Sequence, residues 1–297
     1  VTSERIYTIG FSNLTEESPF CVTVRESLEA AVEQHSNIRL ICRDNALDDE
    51  RALANAGYFA ELPVDLGIIF HINERIGPKL AQMLMVKRIP IIAVDVPIPL
   101  TTYFGVDNRR VGALLGHALV DWVNKHWGGK LDKVLATSET RVLESVRVRT
   151  SSTIDVLGSL PGFNPENVLF IDSGHNRDLT IEFAMNILQR WSEFHHIAAV
   201  GFSEDSILGI VEAVRRLGRE SDTAVVGQSG TEKSFAELRT PGTPLIAVTN
   251  YRPQDYGPHL LELALRVFNG EKLPPQNYIE PYLYTPENVP PPQTPTA

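Results

Sequence analysis

Short, almost wholly apolar runs alternate with amphipathic stretches along nearly the whole chain, and this rhythm leaves few folds open. "RIYTIGF", "IRLIC", "DLGIIF" and "IPIIAV" each have strand length. Between them lie "PFCVTVRESLEAAVEQH", "DDERALANAGYFAEL" and "RIGPKLAQMLMVK", whose apolar residues recur at helical spacing, as with Val24, Leu28, Ala31 and Val32. Strands this apolar are expected where helices cover both faces of a sheet. The alternation predicts an α/β fold with a parallel, doubly wound sheet. Ser18 is read as the N-cap of the first helix, with Pro19 at its first position.

After "DVPIPLTTYFGVDN" the rhythm restarts. Helices are expected over 107–126, 140–158, 177–194, 203–217, near 231–239 and over 253–269. Strands are expected at "KVLAT", "NVLFI", "IAAVGF", "TAVVG" and "PLIAVTN", with a last extended segment "NYIEPYLYT". Two consecutive α/β units of similar size result, a length of 297 residues suiting two domains. The junction at 101–107 reads as a strand rather than a Gly/Ser linker, which implies two lobes moving as rigid bodies. The tail "PENVPPPQTPTA" is Pro-rich and is expected to stay unpacked.

A formal charge of −10 argues against a general nucleic-acid binder, which needs a basic face to displace phosphate counterions. No run of about 18 apolar residues is present, so no membrane-spanning helix is expected. "VTSERIYTIG" does not read as a signal peptide, but the chain has no initiator Met, so nothing about compartment follows. Of the two cysteines, Cys42 in "IRLIC" is expected to be a buried, inert thiol, and Cys21 sits at a helix start, where a thiolate is favoured. Whether the two are bridged stays open.

Ligands of open α/β sheets bind beyond the carboxyl ends of the strands. Those ends carry Ser12, Asn13 and Ser18–Phe20, then His71 and Asn73, then Asp95. In the second unit they carry Thr137–Thr140, "DSGHNR" with His175, "FSED" with Ser203, "GQSG" with Ser229, and Asn250–Tyr251. Neutral hydrogen-bonding groups with interleaved aromatics suit a neutral, hydroxyl-rich small molecule. Each has a plainer reading. Phe20 could staple its helix to the core, Asp95 could cap a turn, His71 could be a satisfied core histidine, and Arg149 could pair with Glu144 or Asp155. His195-His196 is read as a solvated helix end, and "NLT" at Asn13 as a chance match to the glycosylation pattern. No nucleophile elbow, P-loop, dinucleotide fingerprint or zinc-protease motif occurs, so no catalytic residue, metal ligand or cofactor is assigned.

One set of strings, in order, carries a resemblance: "SPF", "IPIIAVD", "YFGVDNRRVGALLGHAL", "SVRVRTSST", "FSEDSILGIVEAV", "AVVGQSGT" and "YLYTPENV". The chain resembles type I periplasmic sugar-binding proteins of the ribose/galactose-binding class, whose fold also forms the effector domain of lac-repressor-type regulators. The resemblance implies two lobes joined by three crossings that close on a ligand at a cleft. On that pattern the first lobe would span 1–105 plus 252–277, the second 106–251 plus 278–289, and 290–297 would form the tail. It implies that Phe20 stacks on the ligand with Ser18 beside it, that Asp95 accepts from ligand hydroxyls, and that Arg149 donates from the second lobe. Ser203, Ser229 and Asn250 take further polar positions. The sequence departs from the family pattern at Cys21, where a second ring stands, at Val96, where Arg is common, and at Ser152-Thr153, where Gly-Phe follows the arginine. The candidate ligand-binding set is Ser12, Asn13, Ser18, Phe20, His71, Asp95, Arg149, His175, Ser203, Ser229 and Asn250.

The resemblance implies an extracytoplasmic solute-binding protein, its signal peptide removed, that delivers a sugar or polyol to the membrane permease of an ABC importer. It would act as a monomer, periplasmic, secreted or lipid-anchored, without inserting into the membrane or binding nucleic acid. The alternative is the effector-binding domain of a lac-repressor-type regulator lacking its helix-turn-helix.

Overall fold

Every apolar run listed above forms a strand and every amphipathic stretch a helix in the computed structural model, which describes residues 5–62, 64–139, 144–174 and 176–292. In chain order the elements are β1 (Tyr7–Asn13), α1 (Pro19–Glu33), β2 (Ile38–Asp44), α2 (Asp49–Glu61), β3 (Leu66–Ile69), α3 (Gly77–Met85), β4 (Ile91–Val94) and β5 (Thr102–Val106). Then follow α4 (Asn108–Trp127), β6 (Lys133–Ser138), α5 (Glu144–Leu157), β7 (Val168–Asp172), α6 (Arg177–Arg190), β8 (Ile197–Gly201), α7 (Glu204–Arg216), β9 (Thr223–Gln228), α8 (Glu232–Leu238) and β10 (Leu245–Asn250). The chain ends with α9 (Tyr256–Phe268), β11 (Gln276–Ile279) and β12 (Tyr282–Tyr284). The expected start of the fifth helix, 140–143, lies outside the described residues.

The chain divides into two units. One holds the chain up to Val106 together with Arg252–Glu280, the other Asp107–Tyr251 together with the chain from Pro281. Each has one six-stranded sheet, ordered β11-β5-β4-β3-β1-β2 in the first and β12-β10-β9-β8-β6-β7 in the second. All pairings are parallel except β10 with β12. The last extended segment therefore breaks in two, β11 closing the edge of one sheet and β12 that of the other.

In the first unit α1 packs on α9 and α2 on α3. Phe59, Leu80, Leu84, Ile91 and Ala93 form the core under α2 and α3. In the second unit α4 packs on α5 and α6 on α7. Leu115, Leu119, Val134 and Val200 fill one core, and Ile187, Ile207, Val211 and Val225 another. The central strands β3, β4 and β8 are buried throughout, as their composition predicts. The edge strands are not. Leu169 and Phe170 on β7 are 41% and 51% exposed, because an edge strand lacks a neighbour on one side.

One reading of the sequence holds in position only, and two need correcting. Ser18 occupies the N-cap of α1, but its hydroxyl makes no capping bond. The described tail is packed at Val289 and Pro290 and exposed on either side. Val289 lies against the core of the second unit and the Pro290 carbonyl accepts from Arg239 Nη1 at 2.6 Å. His195-His196 lies in the turn before β8 with carboxylates at hand, His195 Nδ1 at 3.1 Å from Asp222 and His196 Nδ1 at 3.0 Å from Asp132. Burial works against the charge on Asp132, yet the His196 ring and the backbone N–H groups of His195 and His196 outweigh it and hold the carboxyl below its usual range. No cluster among the described residues could hold a metal ion.

Candidate functional site

The polar tip of β1 is a self-contained scaffold. Asn13 is fully buried. Its amide donates to Glu16 Oε1 at 2.7 Å and to the carbonyls of Thr15 and Cys21, and its oxygen accepts from the Leu14 N–H at 3.0 Å. The Thr15 hydroxyl accepts from the Glu17 N–H, and Glu16 Oε2 holds Arg25 Nε at 2.9 Å. Ser12, also buried, donates to Asn45 Oδ1 at 2.7 Å, and Asn45 in turn accepts from Asn55 and donates to the Phe70 carbonyl. These bonds satisfy buried groups and fix the ends of β1, β2 and β3 relative to α1 and α2.

That scaffold presents Phe20. The ring is half-buried on the first turn of α1, edge-on to Phe70 at 6.4 Å between centroids and to Tyr256 at 5.6 Å. Tyr256 begins α9, is fully buried, and donates its hydroxyl proton to Asp95 Oδ1 at 2.9 Å. Phe20 and Asp95, chosen separately from the sequence, are thus joined through one tyrosine. α9 is held against α1 by the Gly257 N–H, which donates to Ser27 Oγ at 3.0 Å. Asp95 follows β4 directly and is half-buried.

His71 follows β3 and is 3% exposed. Its Nε2 lies 2.9 Å from Asp49 Oδ1, and Asn73 Nδ2 donates to the other oxygen of Asp49. The bond to His71 is the main cause holding Asp49 below the usual carboxylate range. With Nε2–H directed to Asp49, His71 Nδ1 is a buried acceptor without a partner.

Cys21 is 2% exposed with the Ser18 hydroxyl against its thiol. Burial pushes the thiol up to about 11, overriding the Ser18 hydrogen bond, while the Asp95 charge adds to the rise. The thiolate expected at the helix start is therefore not the resting form. Cys42 is half-buried and pushed up to about 12, first by desolvation, and the two cysteines are free rather than bridged.

In the second unit Arg149 lies on α5 and is 9% exposed. Its guanidinium carbon stands 5.0 Å from the centre of the Phe202 ring and 5.7 Å from that of Tyr251, residues that directly follow β8 and β10. Its Nε donates to the Val146 carbonyl at 3.2 Å. No carboxylate among the described residues pairs with it, for Glu144 instead holds Arg147. Two rings replace the helix-surface ion pair that local spacing suggested.

Ser203 is the N-cap of α7, its hydroxyl accepting from the Ser206 N–H. Ser229 donates to Glu204 Oε2 at 2.6 Å, and Thr231 donates to the same oxygen. Asn250 Nδ2 donates to the Gly230 carbonyl at 3.1 Å. Ser229 and Asn250 thus lie on the turn after β9 and at the end of β10, tied through Gly230. His175 lies outside the described residues.

Sequence reasoning missed Phe70, Phe202 and Tyr256. Phe70 and Phe202 directly follow strands, so the strand-end rule reached them but ranked polar neighbours first. Tyr256 opens a helix and carried no such signal.

The chain belongs to a periplasmic binding protein family, whose domain model matches residues 9–272. It is a family of binding proteins rather than enzymes. Solved structures agree on the fold. A solute-binding protein of an ABC transporter from Bacillus halodurans with bound myo-inositol superposes with a TM-score of 0.77 at 18% identity, covering 97% of this chain and 98% of its own. One from Actinobacillus succinogenes with bound D-allose gives 0.76 at 18%, covering 95% and 98%. A glucose-galactose binding protein of Geobacillus stearothermophilus gives 0.75 at 17%, covering 97% and 100%. No curated protein matches the chain significantly. No helix among the described residues is long and apolar enough to cross a membrane.

Proposed function

We propose that this protein is an extracytoplasmic solute-binding protein that takes a sugar or polyol between its two lobes, closes on it, and hands it to the permease of an ABC importer. The observation that carries the reading is the pairing of a half-buried ring with a carboxylate in the first unit, Phe20 and Asp95 joined through Tyr256. A ring face suits the C–H face of a saccharide, and a carboxylate suits its hydroxyls. Arg149, held between two rings, supplies donors from the second unit. Phe20, Asp95 and Arg149 are assigned the main contacts, with Ser18, His71, Ser229 and Asn250 around them. Ser12, Asn13 and Ser203 shape the loops that carry these groups. Family membership and the solutes named for the structural neighbours support the same class of ligand.

The test is calorimetry and thermal melting with myo-inositol, D-allose, D-galactose and D-glucose. A compound present at a hundred times its Kd should stabilise the fold by about 2.7 kcal/mol. Asp95→Ala should then weaken binding by roughly 1.5–3 kcal/mol, the worth of a hydrogen bond to a charged acceptor. If no saccharide or polyol raises the melting midpoint, the ligand class is wrong. If one does and Asp95→Ala binds it as well as wild type, Asp95 is structural.

A further inference from the structure

We infer that Tyr256 is a positioning residue for Asp95, helping to fix the direction in which its carboxylate meets a ligand. This rests on the binding role proposed above for Asp95.

Asp95 has φ +57°, a left-handed backbone that a side chain with a Cβ adopts at some cost. Something must hold it, and three bonds and contacts form a closed circuit. The Asp95 N–H donates to the Phe104 carbonyl on β5 at 2.9 Å. Asp95 Oδ1 accepts from the Tyr256 hydroxyl at 2.9 Å. The Tyr256 ring returns to Phe104, edge-on at 5.2 Å. Phe20 stands edge-on to the same ring at 5.6 Å, so the tyrosine is packed between two phenylalanines and fully buried. A phenol held this firmly donates along one direction, which sets the rotation of the carboxylate it bonds.

The circuit reaches the chain crossings. Tyr256 lies four residues beyond Arg252, where the chain re-enters the first unit with φ +51°. Asp95 Oδ1 also lies beside Gly105, the penultimate residue of β5 before the chain leaves that unit. A Cβ on Gly105 would fall 2.6 Å from Asp95 Oδ1 and 2.6 Å from the Tyr103 hydroxyl, closer than atoms approach. Tyr256 and Gly105 thus meet the same carboxylate oxygen, one by a bond and one by leaving room for it. The orienting donor thus comes from a tyrosine distant in sequence from Asp95.

The experiment measures Kd by calorimetry for whichever of myo-inositol, D-allose, D-galactose and D-glucose wild type binds most tightly, in wild type, Tyr256→Phe, Gly105→Ala, Asp95→Ala and the two double variants with Asp95→Ala. Tyr256→Phe keeps the packed ring and loses only the hydroxyl, so its affinity should fall about tenfold, as for loss of a hydrogen bond to a charged group. Gly105→Ala should fall at least as far. In the Asp95→Ala background Tyr256→Phe should have no further effect on affinity, because the positioning runs through the carboxylate. A purely structural role would instead lower the melting midpoint and reduce affinity equally in both backgrounds, and that result overturns the inference. So does Tyr256→Phe binding as tightly as wild type while Asp95→Ala binds weakly. If Asp95→Ala leaves affinity unchanged, Asp95 is structural and this inference falls while the ligand class stands; if none of the four compounds binds, the underlying binding reading fails and this inference with it.

Discussion

The Arg149 guanidinium carbon stands 5.0 Å from the centre of the Phe202 ring, so a helix of the second unit offers its cation over the end of a central strand. Tyr251 flanks the same cation at 5.7 Å, and no carboxylate among the described residues answers it. Arg149→Lys should behave as a loss rather than a conservative exchange, because an ammonium lacks the planar fork and its stacking. Affinity for a bound saccharide should fall about tenfold or more, with the melting midpoint nearly unchanged. Calorimetry and melting of the same preparation separate the two effects. A lysine variant that binds normally removes the arginine from the site.

Acid should destabilise the protein in a way that traces to two carboxylates. Asp49, bonded by His71 and Asn73, and Asp132, bonded by His196 and two backbone N–H groups, both have folded-state pKa values below their unfolded values. Their contribution is complete above the unfolded carboxylate range and is lost as pH falls through the folded values. The melting midpoint should therefore drop from about pH 4 downward. The slope should be shallower in Asp49→Asn and Asp132→Asn. Equal slopes in all three proteins would show that other groups govern acid unfolding.

Gly230 tests the turn that carries Ser229 and meets Asn250. Its φ is +149°, and a Cβ there would lie 1.5 Å from Asn250 Nδ2. Gly230→Ala must displace Asn250 and break its bond to the Gly230 carbonyl. A loss of about 2–3 kcal/mol in unfolding free energy is expected from forced repacking and backbone strain. Denaturant titration measures it, and a loss under half that size would mean the turn yields easily.

Neither cysteine should react in the native protein. With thiols pushed up to about 11 and about 12, the thiolate fraction at neutral pH is far too small for fast alkylation. A thiol count with Ellman's reagent should give none promptly in buffer and two after unfolding in guanidinium. Prompt labelling of Cys21 would contradict its burial.

The extent to which the proposed site was readable in the sequence differs from residue to residue. Phe20 and Asp95 were accessible because each sits at a position defined locally, a helix start and a strand end. Their connection was not, since Tyr256 arrives from the far end of the chain to bond Asp95. Arg149 was visible as a charged helix residue, but local spacing offered Glu144 or Asp155 as its partner. The partners it has follow β8 and β10, and sheet order rather than sequence distance brings them there. Ser12 and Asn13 looked like ligand groups because strand-end polarity has one appearance whether its bonds turn inward or outward.

The sequence by itself determined the strands, the helices and their parallel winding, because hydrophobic period and short-range turn chemistry act within a few residues. It determined also that the chain restarts its pattern once, giving two α/β units. Only the tertiary structure decided that the last extended segment divides between two sheets, that Cys21 is a protonated thiol, and that a tyrosine orients Asp95. Each of these depends on what long-range packing places beside a group. Burial, electrostatic neighbours and hydrogen-bond direction are properties of that surrounding, and no window of sequence contains them.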